Sequence, residues 1–219
     1  MRSLCAGAAY WDKGYVALKN LYPKELGYVM LAKLKEELSY GGRSFETLKR
    51  GSPLLRQEAI ELYGGHYSPL NSFLWGLTPT ITAIVDRDLQ PSYSYFRIYR
   101  EGDICRVHSD RYACEHSVSL MLATSDNLPW ALDMGSIPVE NPVARADEDF
   151  GDEPYSSVPM EAGDAVLYQG VARTHGRITP NPNRWSAHLF LHWVDRNGPY
   201  ADYGFEGQPI PTLDMLELR

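Results

Sequence analysis

The sequence has no long apolar run. None of its stretches approaches the roughly 18 consecutive apolar residues that a transmembrane helix needs. The short apolar stretch before Tyr10-Trp11-Asp12-Lys13 is also too brief for the hydrophobic region of a secretory signal. We therefore expect a cytoplasmic protein with no membrane partner.

Cysteine and clustered basic residues are scarce as well. The three cysteines, Cys5, Cys105 and Cys114, form no C-x-x-C pair, so we expect reduced, buried thiols rather than zinc ligands or disulfides. The net charge is −7, and no basic run is long enough to follow a phosphate backbone, which disfavours a nucleic-acid partner. Repeats and low-complexity linkers are absent too. A chain of 219 residues that is 44% hydrophobic suits a single domain, residues 1–219.

Helical patterns occupy residues 1–90, which we expect to form a helical support. Residues 25–38 place apolar side chains at helical spacing. Further helices are predicted over 53–62, where Pro53 would take the first turn, and over 78–89.

After Pro91 the pattern changes to short strands separated by turns. Strands are predicted at 93–99, 104–109, 116–124, 131–139, 165–169, 173–178 and 185–194. Seven or eight short strands that follow helices predict a fold that is mainly β with α: a double-stranded β-helix (a jelly-roll or cupin-like barrel) over residues 91–195, with the N-terminal helices packed on one face.

Two segments stand outside this pattern. Residues 140–158 are acidic and have no periodicity, so we expect a lid-like loop or a solvated insertion in the barrel. Residues 196–219 are expected to be a C-terminal tail that wraps the domain or reaches a partner. The sequence does not indicate the oligomeric state.

His108-Ser109-Asp110 lies at the end of a predicted strand, so the period of two points His108 and Asp110 to one side of the sheet. His175 falls on a later strand. Two imidazoles and one carboxylate can occupy one face of a metal's coordination sphere, as in non-haem iron(II) oxygenases. The sequence therefore predicts a metal site formed by His108, Asp110 and His175.

Arg184 is the candidate ligand for an anion. It begins the last predicted strand and has the same parity as Ser186, so a guanidinium and a hydroxyl could converge on one carboxylate. Tyr99 could add a third donor. Buried charges are rare unless paired, so a barrel that contains these groups implies a bound cation and a bound anion.

These motifs together resemble the 2-oxoglutarate/Fe(II)-dependent dioxygenase superfamily, in particular its prolyl-4-hydroxylase-like branch. The resemblance covers about residues 78–195 and rests on Tyr99-x-x-Gly102-x5-His108-x-Asp110, Gly163-Asp164-Ala165-Val166-Leu167-Tyr168, His175 and Arg184-x-Ser186. It implies that His108, Asp110 and His175 bind iron, and that Arg184, Ser186 and Tyr99 bind 2-oxoglutarate. Fe(II), 2-oxoglutarate and O2 are thus the implied cofactors, with ascorbate as a stimulant.

The implied activity is hydroxylation of an unactivated C–H bond, with release of succinate and CO2. The strand that usually carries Gly-Gly-Glu before an aromatic residue reads Trp130-Ala131-Leu132-Asp133-Met134-Gly135 here, which disfavours a peptidyl-proline substrate. The chain also has no obvious peptide-binding extension, so we favour a free amino acid or a small amino-acid-derived substrate. A peptidyl, prolyl-type substrate is the alternative. Two other classes stay open: a non-catalytic barrel that binds metal and a small acid, and a cupin-like zinc or manganese enzyme.

Further side chains on the same strand faces are candidates for binding the substrate. They are Arg97, Arg106, Arg173, His188 and Tyr168. Three arginines in this set favour a substrate that carries a carboxylate.

Overall fold

In a computed structural model of the protein, residues 2–140, 142 and 146–210 are described, with side chains from residue 6 onward. The helices are α1 (Arg2–Lys13), α2 (Lys24–Tyr40) and α3 (Pro69–Val85). The strands are β1 (Tyr15–Leu18), β2 (Lys49–Arg50), β3 (Ala59–Tyr63), β4 (Leu89–Arg100), β5 (Cys105–His108), β6 (His116–Thr124), β7 (Leu132–Pro138), β8 (Tyr155–Val158), β9 (Ala165–Tyr168), β10 (Arg173–Arg177) and β11 (Trp185–Asp195).

Two antiparallel sheets face each other. The larger has the order β1-β9-β6-β11-β4-β3-β2, and the smaller has the order β5-β10-β7-β8. One buried cluster joins their inner faces, with Phe190 and Met121 from the larger sheet and Leu132 and Met134 from the smaller. This arrangement is the double-stranded β-helix that the strand pattern predicts, and the prediction of the fold class is confirmed.

The helices cover the outer face of the larger sheet. Leu189 and Leu191 of β11 share a buried cluster with Leu34 of α2 and with Leu74 and Ile81 of α3. Successive strand residues point to opposite faces, so the residues between them point into the barrel. Those inward residues of β11 are Ser186, His188, Phe190 and His192. One face of this strand therefore builds the core under the helices, and the other builds the site.

The helix predicted over 53–62 is wrong, because the chain forms β3 there. Ile60 and Leu62 lie in register with Ile98 and Phe96 of β4 and join the core under the helices. Glu61, between them, points the other way. The apolar residues thus follow a period of two, which is the signature of a strand.

The third predicted helix starts earlier and ends earlier than 78–89. α3 runs from Pro69 to Val85 with Pro79 in its interior. It ends where Asp86 adopts a left-handed conformation, with φ of 54°. Proline is favoured in the first turn of a helix, so the sequence around Pro79 resembles a helix start.

The acidic segment 140–158 is partly strand, since β8 pairs with β7. Residue 147 forms an isolated bridge with Val107 of β5. Positions 141 and 143–145 of this segment, and 211–219 of the predicted tail, lie outside the described residues. The lid therefore stays a prediction.

Within residues 2–140, 142 and 146–210, no helix is both long and apolar enough to cross a bilayer.

Candidate metal site and barrel cavity

The register of β5 and β10 sets two histidines side by side. His108 and His175 are direct partners across this antiparallel pair, and their ring centroids are 4.5 Å apart. Asp110 follows β5, and its backbone N–H donates to the carbonyl of Gly170 at 2.8 Å. The carboxylate is thereby turned back towards the two imidazoles.

The three side chains present their ligand atoms to one point. Oδ1 of Asp110 lies 3.6 Å from Nε2 of His108, and Oδ2 lies 3.6 Å from Nε2 of His175. All three ligand atoms lie within 4.8 Å of one another. This set is compatible with a facial metal site that leaves other coordination positions open.

The outer nitrogens of both imidazoles face backbone carbonyls. Nδ1 of His108 is 2.7 Å from the carbonyl of Arg106, and Nδ1 of His175 is 3.1 Å from that of Arg173. A carbonyl only accepts, so each Nδ1 carries the proton in this arrangement and each Nε2 presents a lone pair. Histidines that bind metals are usually oriented in this way.

The electrostatics of the cluster favour a bound cation. Burial alone would raise the pKa of Asp110, but the two neighbouring imidazoles hold it well below its usual range. Burial, and then the charge of His175, lowers the pKa of His108. The site therefore offers an ionised carboxylate and a neutral imidazole at His108, which are the forms that bind metal.

A second group of three potential ligands shares Asp110. It adds Cys114 and His192, both buried. Sγ of Cys114 lies 3.1 Å from the hydroxyl of Tyr93, and burial raises the pKa of this thiol well above its usual value. Because a metal binds the thiolate, this second group is the weaker candidate.

A narrow cavity of about 20 Å³ adjoins the ligands inside the barrel. Its lining includes both histidines and Asp110, and it extends to Tyr99, Arg97 and Arg177. A wider cavity that opens to solvent also reaches His108 and Asp110. The candidate metal site therefore lies between an inner polar chamber and an outer entrance.

Arg184 does not lie in either of these cavities. Its side chain is 72% exposed, and its Nε donates to Asp126 at 3.1 Å. It lines an outer groove together with Phe45 and Trp185. Strand parity does not predict the direction of the Arg184 side chain, because Arg184 precedes the first residue of β11, where strand alternation has not begun.

Arg177 is the arginine that the structure places in the inner chamber. It lies two residues after His175 on β10 and is only 1% exposed. Its Nη1 donates to the carbonyls of Trp130 and Ala131, and its Nη2 lies 3.2 Å from Oγ of Ser119. Among the described residues no carboxylate forms an ion pair with it, and burial lowers its pKa. A buried cation without a counter-ion is costly, which favours a bound anion.

Arg97 also points into the barrel, but its charge is compensated. Its Nε donates to Glu61 at 2.7 Å, and both side chains are less than a tenth exposed. Its Nη1 donates to the hydroxyl of Tyr99 at 3.0 Å. Tyr99 thus lines the chamber as expected, held by a paired arginine.

The other inward residues of β11 are placed as the parity predicted. Oγ of Ser186, which lies in register with Tyr99, donates to Asn181 at 2.9 Å. Nδ1 of His188 lies 3.3 Å from Nη2 of Arg177, and its Nε2 is buried with no hydrogen-bond partner. Tyr168 lines the chamber, and its ring centroid is 4.6 Å from that of His175.

Two candidates lie away from the inner chamber. Arg106 pairs with Glu148 at 2.6 Å and donates to the carbonyls of Pro53 and Leu55, so it ties the acidic segment to the barrel wall. Arg173 is buried and donates to the carbonyl of Ser136. Neither residue lines the two cavities at the metal ligands.

Sequence reasoning missed Arg177 and Glu61. Arg177 could have been found, because it has the parity of His175 on the same strand. Glu61 could not, since residues 53–62 were interpreted as a helix.

Comparison by sequence finds no matching family model and no matching curated protein. Comparison of the fold does find similar solved structures. A prolyl-4-hydroxylase from Pseudomonas putida matches with a TM-score of 0.60 at 17% identity, over 89% of this chain and 98% of that one. The non-haem α-ketoglutarate-dependent carbocyclase SnoK of nogalamycin biosynthesis matches with a TM-score of 0.60 at 14% identity, over 94% and 93%.

A third structure shows such a fold with its ligands. HygX from Streptomyces hygroscopicus, with nickel, 2-oxoglutarate and hygromycin B bound, matches with a TM-score of 0.58 at 12% identity, over 84% of this chain and 85% of that one. At these identities the likeness concerns the fold. The chain has the double-stranded β-helix fold of these 2-oxoglutarate-dependent oxygenases.

Proposed function

We propose that this protein is an Fe(II)- and 2-oxoglutarate-dependent oxygenase that hydroxylates a small molecule. The observation that carries the proposal is the convergence of His108, Asp110 and His175 beside a chamber that contains an uncompensated arginine. A metal ion at the three ligands and a dicarboxylate reaching towards Arg177 would satisfy both ends of the chamber. The fold that it shares with 2-oxoglutarate-dependent oxygenases supports the same assignment.

The bound iron, 2-oxoglutarate and O2 would supply the oxidation of an unactivated C–H bond, with release of succinate and CO2. The chain's own residues do the positioning. The carbonyls of Arg106 and Arg173 orient the two imidazoles, and Gly170 orients the carboxylate. The buried lining of the chamber, including Tyr99 and Tyr168, keeps bulk water from the reacting atoms.

Arg177 takes the role of co-substrate anchor that the sequence suggested for Arg184. Its guanidinium is held by two backbone carbonyls, and its Cζ lies 4.7 Å from the ring centroid of Trp130, so it is already oriented. Charge-assisted hydrogen bonds to a carboxylate contribute about 1.5–3 kcal/mol each. Ser119, which contacts Arg177, adds a hydroxyl at the same place.

The substrate proposal is a free amino acid or a small amino-acid-derived molecule. The wider cavity at His108 and Asp110 is open to solvent and lined by charged and aromatic side chains. HygX is seen with hygromycin B, and an EctD structure is seen with 5-hydroxyectoine, so this fold accommodates small molecules at such sites. A peptide substrate is the alternative that the assay must separate.

The direct test is turnover. Iron-loaded protein is incubated in air with 2-oxoglutarate and, in parallel, free amino acids and short proline peptides. Succinate and products heavier by one oxygen atom are measured by mass spectrometry. We expect succinate with the wild type, none with His175→Ala, and unchanged succinate with Arg196→Gln, an exposed arginine that pairs with Asp88.

Two results would contradict the proposal. If metal binds but no co-substrate is consumed with any candidate, the barrel binds metal and a small acid without catalysis. If His175→Ala turns over as fast as the wild type, the metal is held elsewhere.

A further inference from the structure

The wider cavity has a wall built from tyrosine rings. The rings of Tyr93 and Tyr95 are nearly parallel, with centroids 6.1 Å apart, and Tyr63 stacks on Tyr95 at 5.5 Å. All three rings line the cavity that reaches the metal ligands. A planar or apolar group of a ligand can lie against such a wall.

Arg111 lies at the outer end of this wall. It follows the ligand Asp110 directly in the chain, and its Cζ is 4.3 Å from the ring centroid of Tyr93. Its Nε lies 3.4 Å from the hydroxyl of the same tyrosine. The stacked ring and the neighbouring Cys114 limit the orientations of the guanidinium, and the side chain is exposed, so a ligand can reach it.

The salt bridges among the described residues do not include Arg111. In the described part of the chain no carboxylate lies within salt-bridge distance of it, although Glu206 lines the adjoining cavity. The other charged side chains of the wider cavity are compensated: Arg97 is paired with Glu61, and Asp110 faces two imidazoles. Among the described residues, the entrance therefore carries one unpaired positive charge.

We propose that Arg111 binds an anionic group, most simply a carboxylate, of the substrate, while the wall of Tyr63, Tyr93 and Tyr95 packs against the substrate's planar or apolar part. The identification of the bound anion as the substrate rests on the proposed function, but the anion site itself does not require the metal. Arg111 would be a specificity-determining residue, because a neutral analogue could not form the charge-assisted hydrogen bonds that a carboxylate forms with its guanidinium.

The test uses a pair of probes that differ only in charge, 3-phenylpropionate and 3-phenylpropanamide. Their dissociation constants are measured calorimetrically with iron-loaded, anaerobic protein saturated with 2-oxoglutarate, and again with metal-free protein. For the wild type we expect the carboxylate to bind at least about tenfold more tightly than the amide, as charge-assisted hydrogen bonds predict.

Arg111→Gln should remove this difference, and Arg111→Lys should restore part of it, because lysine keeps the charge but loses the planar fork. Arg196→Gln, a charge change far from the tyrosine wall, should leave both constants unchanged. The amide should bind equally to all variants. A merely structural role of Arg111 would change the binding of both probes alike.

The proposal is overturned if the carboxylate does not bind, if it binds the wild type no better than the amide, or if Arg111→Gln leaves its affinity unchanged. Failure of the proposed oxygenase function has a different signature. In that case the probe pair still discriminates in the metal-free protein, but no co-substrate binds at the iron.

Discussion

The carboxylate of Asp110 occupies a space that only a glycine neighbour leaves open. A Cβ added at Gly170 would lie 2.5 Å from Oδ2 of Asp110, 2.5 Å from the carbonyl of Cys114 and 2.7 Å from Oγ of Ser117. Real Cβ atoms do not tolerate such distances. The turn between β9 and β10 therefore sets the position of a ligand that belongs to a different part of the chain.

Gly170→Ala should consequently weaken metal binding by about tenfold or more, the range seen when groups that orient ligands are lost. Gly51→Ala is the matched control, since a Cβ at Gly51 meets nothing within 4 Å. Metal affinity is measured by competition with a chelator of known affinity. Equal affinity in both variants would show that Asp110 is not held by this contact, or is not a ligand.

His116 gives a residue-scale prediction about acid stability. It is buried beneath α1, with its Nδ1 at 2.5 Å from the hydroxyl of Tyr10. Burial lowers its pKa to about 4. Between that value and the ordinary pKa of about 6.5, the unfolded chain binds a proton that the folded chain does not, so stability falls as the pH drops.

We expect His116 alone to cost the metal-free protein roughly 2 kcal/mol of unfolding free energy between pH 7 and pH 5. His116→Asn should flatten the pH dependence by about that amount, whatever its effect at pH 7. Urea unfolding at the two pH values measures both. An unchanged slope in the variant would mean that His116 is not held neutral by burial.

At the scale of elements, the larger sheet separates stability from chemistry. Its outer face packs against α2 and α3, and its inner face presents His188, Phe190 and His192 to the barrel. Substitutions in α3 should therefore change the free energy of unfolding and leave the site unchanged.

Leu74 and Trp75 of α3 form a suitable pair for this test. Leu74 is 1% exposed and Trp75 is 56% exposed. Leu74→Ala should cost about 2–5 kcal/mol of unfolding free energy, whereas Trp75→Ala should cost under about 1 kcal/mol. Urea unfolding measures the cost, and metal affinity of the folded protein should match the wild type in both. A loss of affinity in Leu74→Ala would show that the two faces are coupled.

The strands that carry the ligands were predictable from the sequence, and the reason is periodicity. The predicted strand over 116–124 matches β6 in full, and β5, β10 and β11 differ from their predictions by two residues at most at either end. Within such strands, alternation alone places His108, His175 and Ser186 on inward faces.

The errors arise where alternation does not apply. Arg184 lies before the start of β11 and turns to Asp126, and no local pattern indicates this ion pair across 58 positions. The segment 53–62 has apolar residues that fit a helix as well as a strand, and only its pairing with β4 decides between them. Both errors concern contacts between residues that are distant in sequence, which local sequence patterns do not reveal.

At the scale of the whole molecule, the barrel brings a group of potential metal ligands and a buried arginine into one interior. His108, Asp110 and His175 converge at one end of the inner chamber, and Arg177, which pairs with no described carboxylate, lies in its lining. A metal ion chelated by a dicarboxylate would bind to both groups, as the proposed function requires.

The proposed binding of 2-oxoglutarate to the metal is tested most directly by anaerobic titration of the Fe(II)-loaded protein with 2-oxoglutarate. A 2-oxo acid that chelates iron produces a weak visible charge-transfer band. We predict that the band forms with the wild type and with Arg184→Gln, is absent with His175→Ala, and needs about tenfold or more co-substrate with Arg177→Gln. Arg177→Lys, which keeps the buried charge, should need less than Arg177→Gln. If the wild type binds iron but forms no band at any concentration of 2-oxoglutarate, the proposed chelation of the metal by 2-oxoglutarate is contradicted.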